Sequence, residues 1–203
     1  MSSAPLHQRI RGDIENRIRS GDWPPGHRVP FETELMAQYG CARMTVSKAD
    51  IQSAILARGE TYAFRLLSSH VRSAARGNAD ERELAAGGKL LALEGVHDAG
   101  GRPFALERRL ISLKTAPGAA TADFSAAPPG AWLLEHVAWT EAESRISAVN
   151  ADAEVAALLD LDEGVACLVV DRRTWRAGEH VTRVRQVFPG EAYDLVARFG
   201  PGA

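Results

Sequence analysis

Residues 29–49 read VPFETELMAQYGCARMTVSKA and decide how the first part of this chain is interpreted. The pattern predicts a short helix, a turn at Gly40 and the start of a second helix that carries Arg43, Thr45, Ser47 and Lys48. Basic and hydroxyl side chains at the start of a second helix suit a DNA major groove, because they reach guanine edges and phosphates. An ordinary helical hairpin with a polar face is the alternative.

The residues before this stretch favour the DNA-binding interpretation. An apolar side chain recurs every fourth residue at Leu6, Ile10, Ile14 and Ile18, which predicts an amphipathic helix with Arg9 on another face. Residues 20–26, SGDWPPG, then end that helix, because glycine and a proline pair do not continue one. The predicted order of helix, turn, short helix, turn and basic helix is that of a three-helix DNA-binding head.

Length and composition set further bounds. A chain of 203 residues accommodates this head and one further domain of ~100–150 residues. The net charge is −2; residues 1–49 hold seven basic and five acidic side chains, a weak asymmetry in the direction that DNA binding requires. There is no apolar run near ~18 residues and no secretory signal, so we expect neither membrane insertion nor export. The two cysteines, Cys41 and Cys167, are far apart, which indicates a reducing cytoplasm and neither a disulfide framework nor a metal site.

The second half of the chain is predicted to be rich in β-strands. Strand-like runs cover residues 89–98 and 103–111 around a glycine turn, and a second hairpin is predicted from residues 167–175 and 181–188. Residues 152–159 predict a short helix between the two hairpins. Strands and helices in this order predict an α+β domain with an antiparallel sheet.

Motifs along both halves resemble known families. Residues 1–49 resemble the winged helix-turn-helix domain of GntR-type bacterial transcription regulators, through GDWPPG at 21–26, ETEL at 32–35 and Thr45-Val46. Phe31 departs from the family, which usually has a serine there. Residues 50–203 resemble the UTRA effector-binding and dimerisation domain, whose fold is related to chorismate lyase, through DAGGRPFALE at 98–107 and RRTW at 172–175. Several of these strings are similar to the histidine-utilisation branch of the family.

The chain departs from the family pattern directly after Ala49. A longer recognition helix and a two-stranded wing are expected there, but Asp50–Leu56 follows at once and is interpreted as the opening strand of the next domain. A second abrupt join falls at Leu56-Ala57. Either the gene product lacks these segments, or the 203 residues are only its ordered part numbered continuously. We favour the second explanation, because a recognition helix of two turns buries too little apolar surface to be stable.

The effector residues follow from the UTRA resemblance. Many UTRA domains hold a sugar phosphate with two arginines, but the matching positions here are Glu94 or Gly95 and His97. His97 and Glu107 suit a ligand with its own ring N–H, such as urocanate, which is also the inducer that the resemblance implies. Four residues are candidates for holding its carboxylate: Arg145, Arg173, Thr174 and Thr182. Each of these side chains is alternatively an ordinary strand residue that pairs with a neighbour or faces solvent.

The expected function is therefore that of a homodimeric transcriptional repressor that responds to a small molecule and needs no cofactor. Double-stranded operator DNA is the expected partner, bound by Arg9, Arg43, Thr45, Ser47 and Lys48. A regulator that responds to another metabolite, such as a sugar phosphate, is the alternative. An enzyme with a lyase-like fold is a further alternative, but fold does not carry activity, and the sequence offers no metal-ligand spacing, nucleophile elbow or phosphate loop.

Overall fold

The computed structural model describes residues 51–192 together with Arg17, Ser20 and Asp22. Helices and strands alternate irregularly along residues 51–192. In chain order they are α1 (Ile51–Ala57), β1 (Tyr62–Arg72), α2 (Ala79–Ala85), β2 (Leu90–Ala99), β3 (Arg102–Ser112), a 3₁₀ helix (Pro117–Thr121), α3 (Pro129–His136), β4 (Glu141–Asn150), α4 (Ala153–Leu159), β5 (Ala166–Arg176) and β6 (Glu179–Pro189). The predicted α+β class is confirmed.

The six strands form one antiparallel sheet in the order β1-β2-β3-β6-β5-β4. Both predicted hairpins are present, with tight two-residue turns. Gly100 and Gly101 have φ of 58° and 81°, and Ala177 and Gly178 have φ of 49° and 81°. Positive φ at both central residues matches the right-handed twist of the flanking strands, so these turns set the register of β2 with β3 and of β5 with β6.

Helices cover both faces of the sheet because the strands alternate apolar side chains between them. On one face, α1 packs with Ile51 and Ile55 against Phe104 and Phe188, and α3 packs with Leu133 against neighbouring strands. On the other face, α4 buries Val155, Ala156 and Leu159 against Val96, Leu106, Val169 and Val187, while α2 buries Leu84 and Ala85 beside Leu90. The space between α1 and α3 is where the candidate site lies.

The helix α4 was predicted from its apolar residues, and the structure adds how it begins. Asp152 caps it, since the Asp152 carboxylate accepts a hydrogen bond from the backbone N–H of Val155 at 2.8 Å. Such a cap satisfies one of the N–H groups that a helix start leaves without an intrahelical partner.

The interpretation of Asp50–Leu56 as a strand is wrong, because Ile51–Ala57 is a helix. Ile51 and Ile55 lie four residues apart on its buried face, whereas Leu56 is 53% exposed. Short apolar runs of this length do not separate helix from strand by periodicity. No helix in the described part of the chain is long and apolar enough to cross a membrane.

Candidate effector cavity

A cavity of about 130 Å³ lies between α1, α3 and the sheet face that these helices cover. Its floor comes from alternate residues of β2, β3, β5 and β6, and α1 contributes Ile51, Gln52 and Ala54 to its wall. Trp139, in the connection between α3 and β4, also lines it. The polar lining residues are Gln52, Tyr62, His97, Glu107, Arg109, Trp139, Arg172, Thr174, Thr182 and Gln186.

Glu107 is the centre of a hydrogen-bond network on the cavity floor. Its Oε1 accepts from Arg109 Nε at 2.7 Å, and its Oε2 accepts from Gln186 Nε2 at 2.7 Å. Nε2 of His97 lies 3.2 Å from the same Oε2. A carboxylate only accepts, so His97 donates from Nε2, while its Nδ1 lies 2.9 Å from the Tyr62 hydroxyl. Three donors therefore already occupy the two oxygens of Glu107.

The electrostatics keep Glu107 ionised. Burial raises the pKa of Glu107, but the Arg109 guanidinium and the hydrogen bond from His97 outweigh it, so the pKa lies well below its usual range. Glu107 is only 2% exposed. A buried carboxylate that is charged and fully bonded fixes the orientation of the side chains around it, which here are His97, Arg109 and Gln186.

Arg109 and Thr174 have hydrogen-bonding capacity that no described residue uses. Arg109 donates through Nε only, and its terminal nitrogens have no hydrogen-bond partner among residues 51–192. Thr174 Oγ1 is buried without a partner in the same part of the chain. Thr182, directly opposite Thr174 in the sheet, differs, because its hydroxyl donates to the carbonyl of Leu110 at 2.7 Å.

The structure brings four of the six predicted effector residues into one cavity: His97, Glu107, Thr174 and Thr182. Arg145 and Arg173 do not line it. Arg173 follows Arg172 and precedes Thr174 on β5, so its side chain points to the opposite face, where it pairs with Asp80 of α2 at 2.7 Å. Arg145 lies opposite Asp171, which lines a groove on that other face, so Arg145 belongs there too.

The sequence analysis did not identify Arg109, Arg172 or Gln186, which the structure places in the cavity wall. Period-two alternation could have found two of them, because Arg109 follows Glu107 by two residues and Arg172 precedes Thr174 by two. Gln186 lies opposite Glu107 in the pairing of β3 with β6. This pairing joins residues far apart in the chain, so the sequence alone does not predict the contact. The predicted DNA-binding residues Arg9, Arg43, Thr45, Ser47 and Lys48 lie outside the described residues.

Comparison with known families identifies this fold. Residues 57–194 match the family model of the UTRA domain, and residues 6–53 match that of bacterial regulatory proteins of the gntR family. The chain belongs to the gntR family and carries a UTRA domain. Members of this family are transcription regulators and not enzymes, so the lyase-like alternative no longer holds.

Among relatives of this regulator, the histidine utilization repressor of Pseudomonas aeruginosa is 32% identical over 229 residues, covering 97% of this chain and 92% of the relative. The histidine utilization repressor of Pseudomonas putida is 29% identical over 229 residues, with the same coverage. An aligned length of 229 against a chain of 203 leaves at least 26 residues of the relatives without a counterpart here.

Solved structures show the same architecture. The C-terminal domain of histidine utilization repressor from Pseudomonas syringae pv. tomato is 26% identical with a TM-score of 0.62, covering 69% of this chain and 99% of that one. PhnF from Mycobacterium smegmatis has a TM-score of 0.65 at 19% identity, covering 95% of this chain and 100% of that one, and shows the fold alone.

Proposed function

We propose that this regulator is a homodimeric repressor of histidine-utilisation genes and that urocanate is its inducer. The observation that carries the proposal is the small cavity under α1 and α3, which has a mainly apolar wall and a few buried polar groups, in a chain that aligns over nearly its whole length with histidine utilization repressors. Urocanate is an imidazole ring with a short unsaturated carboxylate side chain. Its flat ring suits the apolar part of the cavity wall, which includes Leu134, Val170 and Phe188.

The cavity favours this ligand over the alternative, a sugar phosphate. A volume of about 130 Å³ is close to that of an engineered cavity of about 150 Å³ that holds benzene. On β2, Gly95 and His97 occupy the side of the sheet where a pair of arginines would hold a phosphate. A Cβ at Gly95 would lie 2.9 Å from the backbone carbonyl oxygen of Arg65 and 2.4 Å from Cζ of Phe64, so an arginine there would require these groups to shift.

The proposal assigns DNA recognition to residues 1–49, with Arg43, Thr45, Ser47 and Lys48 at the major groove and Arg9 nearby. Two heads of a homodimer would read the half-sites of a near-palindromic operator, whose spacing mirrors that of the heads. Helix α1 begins at Ile51, directly after the head, and its residues Ile51, Gln52 and Ala54 line the cavity. A bound effector therefore contacts the segment that leads to the head, and it favours a head spacing that no longer fits the operator.

The proposal is tested by thermal melts of the purified full chain without ligand and with urocanate, histidine or glucosamine-6-phosphate. A ligand at 100 times its dissociation constant adds ~2.7 kcal/mol, which raises the midpoint by several degrees. We expect a shift with urocanate and none with the sugar phosphate. A shift with the sugar phosphate alone would exclude the histidine-utilisation assignment and leave the family assignment standing.

A further inference from the structure

We infer that Arg109, the first turn of α3 and the hydroxyl of Thr174 form a subsite for a single carboxylate, and that Glu107 holds this subsite in place and does not contact the effector. The inference deepens the proposed function and rests on it for the identity of the ligand. It also replaces Arg145 and Arg173 as the groups that would hold the carboxylate.

Glu107 fixes the orientation of Arg109 in the cavity. Nε of Arg109 donates to Glu107 at 2.7 Å, which holds the guanidinium in one orientation and leaves both terminal nitrogens without a hydrogen-bond partner among residues 51–192. One of them, Nη2, lies 3.5 Å from the position that a Cβ on Gly130 would take, at the first turn of α3. Arg109 is 7% exposed, lines the cavity and has no other hydrogen-bond or ion-pair partner among residues 51–192, so its terminal nitrogens are buried donors.

The first turn of α3 adds donors at the same place. A helix start leaves backbone N–H groups without intrahelical partners, and an anion near them is stabilised by the helix dipole. Pro128 occupies the N-cap position and provides no side-chain cap, and Pro128, Gly130 and Ala131 line the cavity. Pro128 and Pro129 have no N–H, so the donors of this turn that are left for a ligand in the cavity are the N–H groups of Gly130 and Ala131.

Thr174 is the independent sign that a ligand belongs here. It is 7% exposed, lines the cavity, and its Oγ1 has no hydrogen-bond partner among the described residues. A buried hydroxyl without a partner costs about 1–3 kcal/mol. A ligand oxygen at the subsite would accept from this hydroxyl and remove that cost.

The net charge of the side chains that line the cavity favours a ligand with a single negative charge. Arg109 and Arg172 contribute two positive charges and Glu107 one negative charge, so the arginine and glutamate side chains of the lining sum to +1. One carboxylate neutralises that charge, whereas a phosphate monoester would exceed it. A carboxylate offers about four acceptor positions, and three of those of Glu107 are taken by His97, Arg109 and Gln186.

The test is isothermal titration calorimetry of the full chain with urocanate, imidazole-4-propionate and the neutral primary amide of urocanate. The variants are Arg109→Gln, Thr174→Val and, as a matched control on the opposite face, Arg173→Gln. Arg109→Gln removes a charged hydrogen-bonding partner and should weaken urocanate binding about 10- to 100-fold. Thr174→Val removes a neutral partner and should weaken it about 2- to 10-fold. Arg173→Gln should leave the affinity unchanged.

The amide separates a carboxylate subsite from general damage to the cavity. Wild-type protein should prefer urocanate to its amide, and Arg109→Gln should abolish that preference while it retains amide binding. Thr174→Val should bind more weakly although its melting temperature without ligand is unchanged or higher, because the substitution removes an unpartnered buried hydroxyl. This second variant keeps the test decisive if Arg109→Gln does not fold.

The outcomes distinguish the inference from the proposed function. If wild-type protein binds urocanate and both variants keep its affinity and its preference over the amide, the carboxylate subsite is wrong and the proposed inducer stands. If imidazole-4-propionate binds through Arg109 and urocanate does not bind, the subsite stands and the proposed inducer is wrong. Absence of binding by either carboxylate would overturn both.

Discussion

Glu107 illustrates how one residue organises the cavity floor. It lies on β3 between the side chains of His97 and Gln186 and holds Arg109 by a 2.7 Å ion pair that is almost fully buried. Breaking a buried pair by removing one partner leaves the other charge uncompensated. The role of Glu107 therefore differs from that of an exposed acid on the same sheet.

We predict that Glu107→Gln lowers the free energy of unfolding by about 3–5 kcal/mol, because Arg109 would stay buried without its carboxylate. The matched control is Glu94→Gln, whose pair with Arg108 has side chains that are 26% and 37% exposed and should contribute only about 0–1 kcal/mol. Urea denaturation of both variants measures the difference. Equal losses for the two variants would show that Glu107 is not the central group of the network.

The pH dependence of stability follows from the same residue. The folded-state pKa of Glu107 lies below its unfolded value of 4.5, so its contribution is fully present above pH 4.5 and decreases as the pH falls below it. Urea unfolding curves of wild-type protein, measured over about 3 pH units from pH 6 to 3 and extrapolated to zero denaturant, should show this loss of stability. In Glu107→Gln the fall should be shallower; an identical fall would assign the acid sensitivity to other carboxylates.

At the scale of the element, α1 is the helix that closes the cavity and precedes the UTRA sheet. Ile55 is fully buried against the sheet, whereas Leu56 beside it is 53% exposed. We predict that Ile55→Ala destabilises the chain by about 2–5 kcal/mol, as for other buried isoleucines, and that Leu56→Ala changes stability by less than about 0.5 kcal/mol. Thermal or urea unfolding of the two variants tests this; a large effect at Leu56 would mean that α1 buries its other face.

The sequence was sufficient for the two hairpins and for α4, because glycine turns, alternating strands and apolar residues at helical spacing are local signals. It was insufficient for α1, whose seven residues fit either a helix or a strand. For the cavity, strand alternation alone places Arg173 and Thr174 on opposite faces of the sheet. Both nevertheless belonged to the predicted set of effector residues. Alternation does not give the register between strands, and the irregularities after His97 and Thr174 shift it further.

For the whole molecule, the proposed function couples an effector under α1 and α3 to DNA binding by residues 1–49. The coupling is thermodynamic, so operator DNA must weaken effector binding by the same factor by which effector weakens DNA binding. The relatives carry at least 26 residues more than this chain along their alignment, and the family's wing is expected just after Ala49. DNA binding by this chain is therefore the step that most needs a direct measurement.

That measurement is a fluorescence-anisotropy titration of the full chain on DNA from the promoter of histidine-utilisation genes in its own genome, with and without saturating urocanate. The account predicts specific binding without ligand and a dissociation constant about 5- to 150-fold higher with urocanate, the usual range of allosteric coupling. A scrambled DNA of the same length and the variant Arg43→Ala are the controls. An unchanged dissociation constant at saturating urocanate, or no specific binding in its absence, would contradict the account.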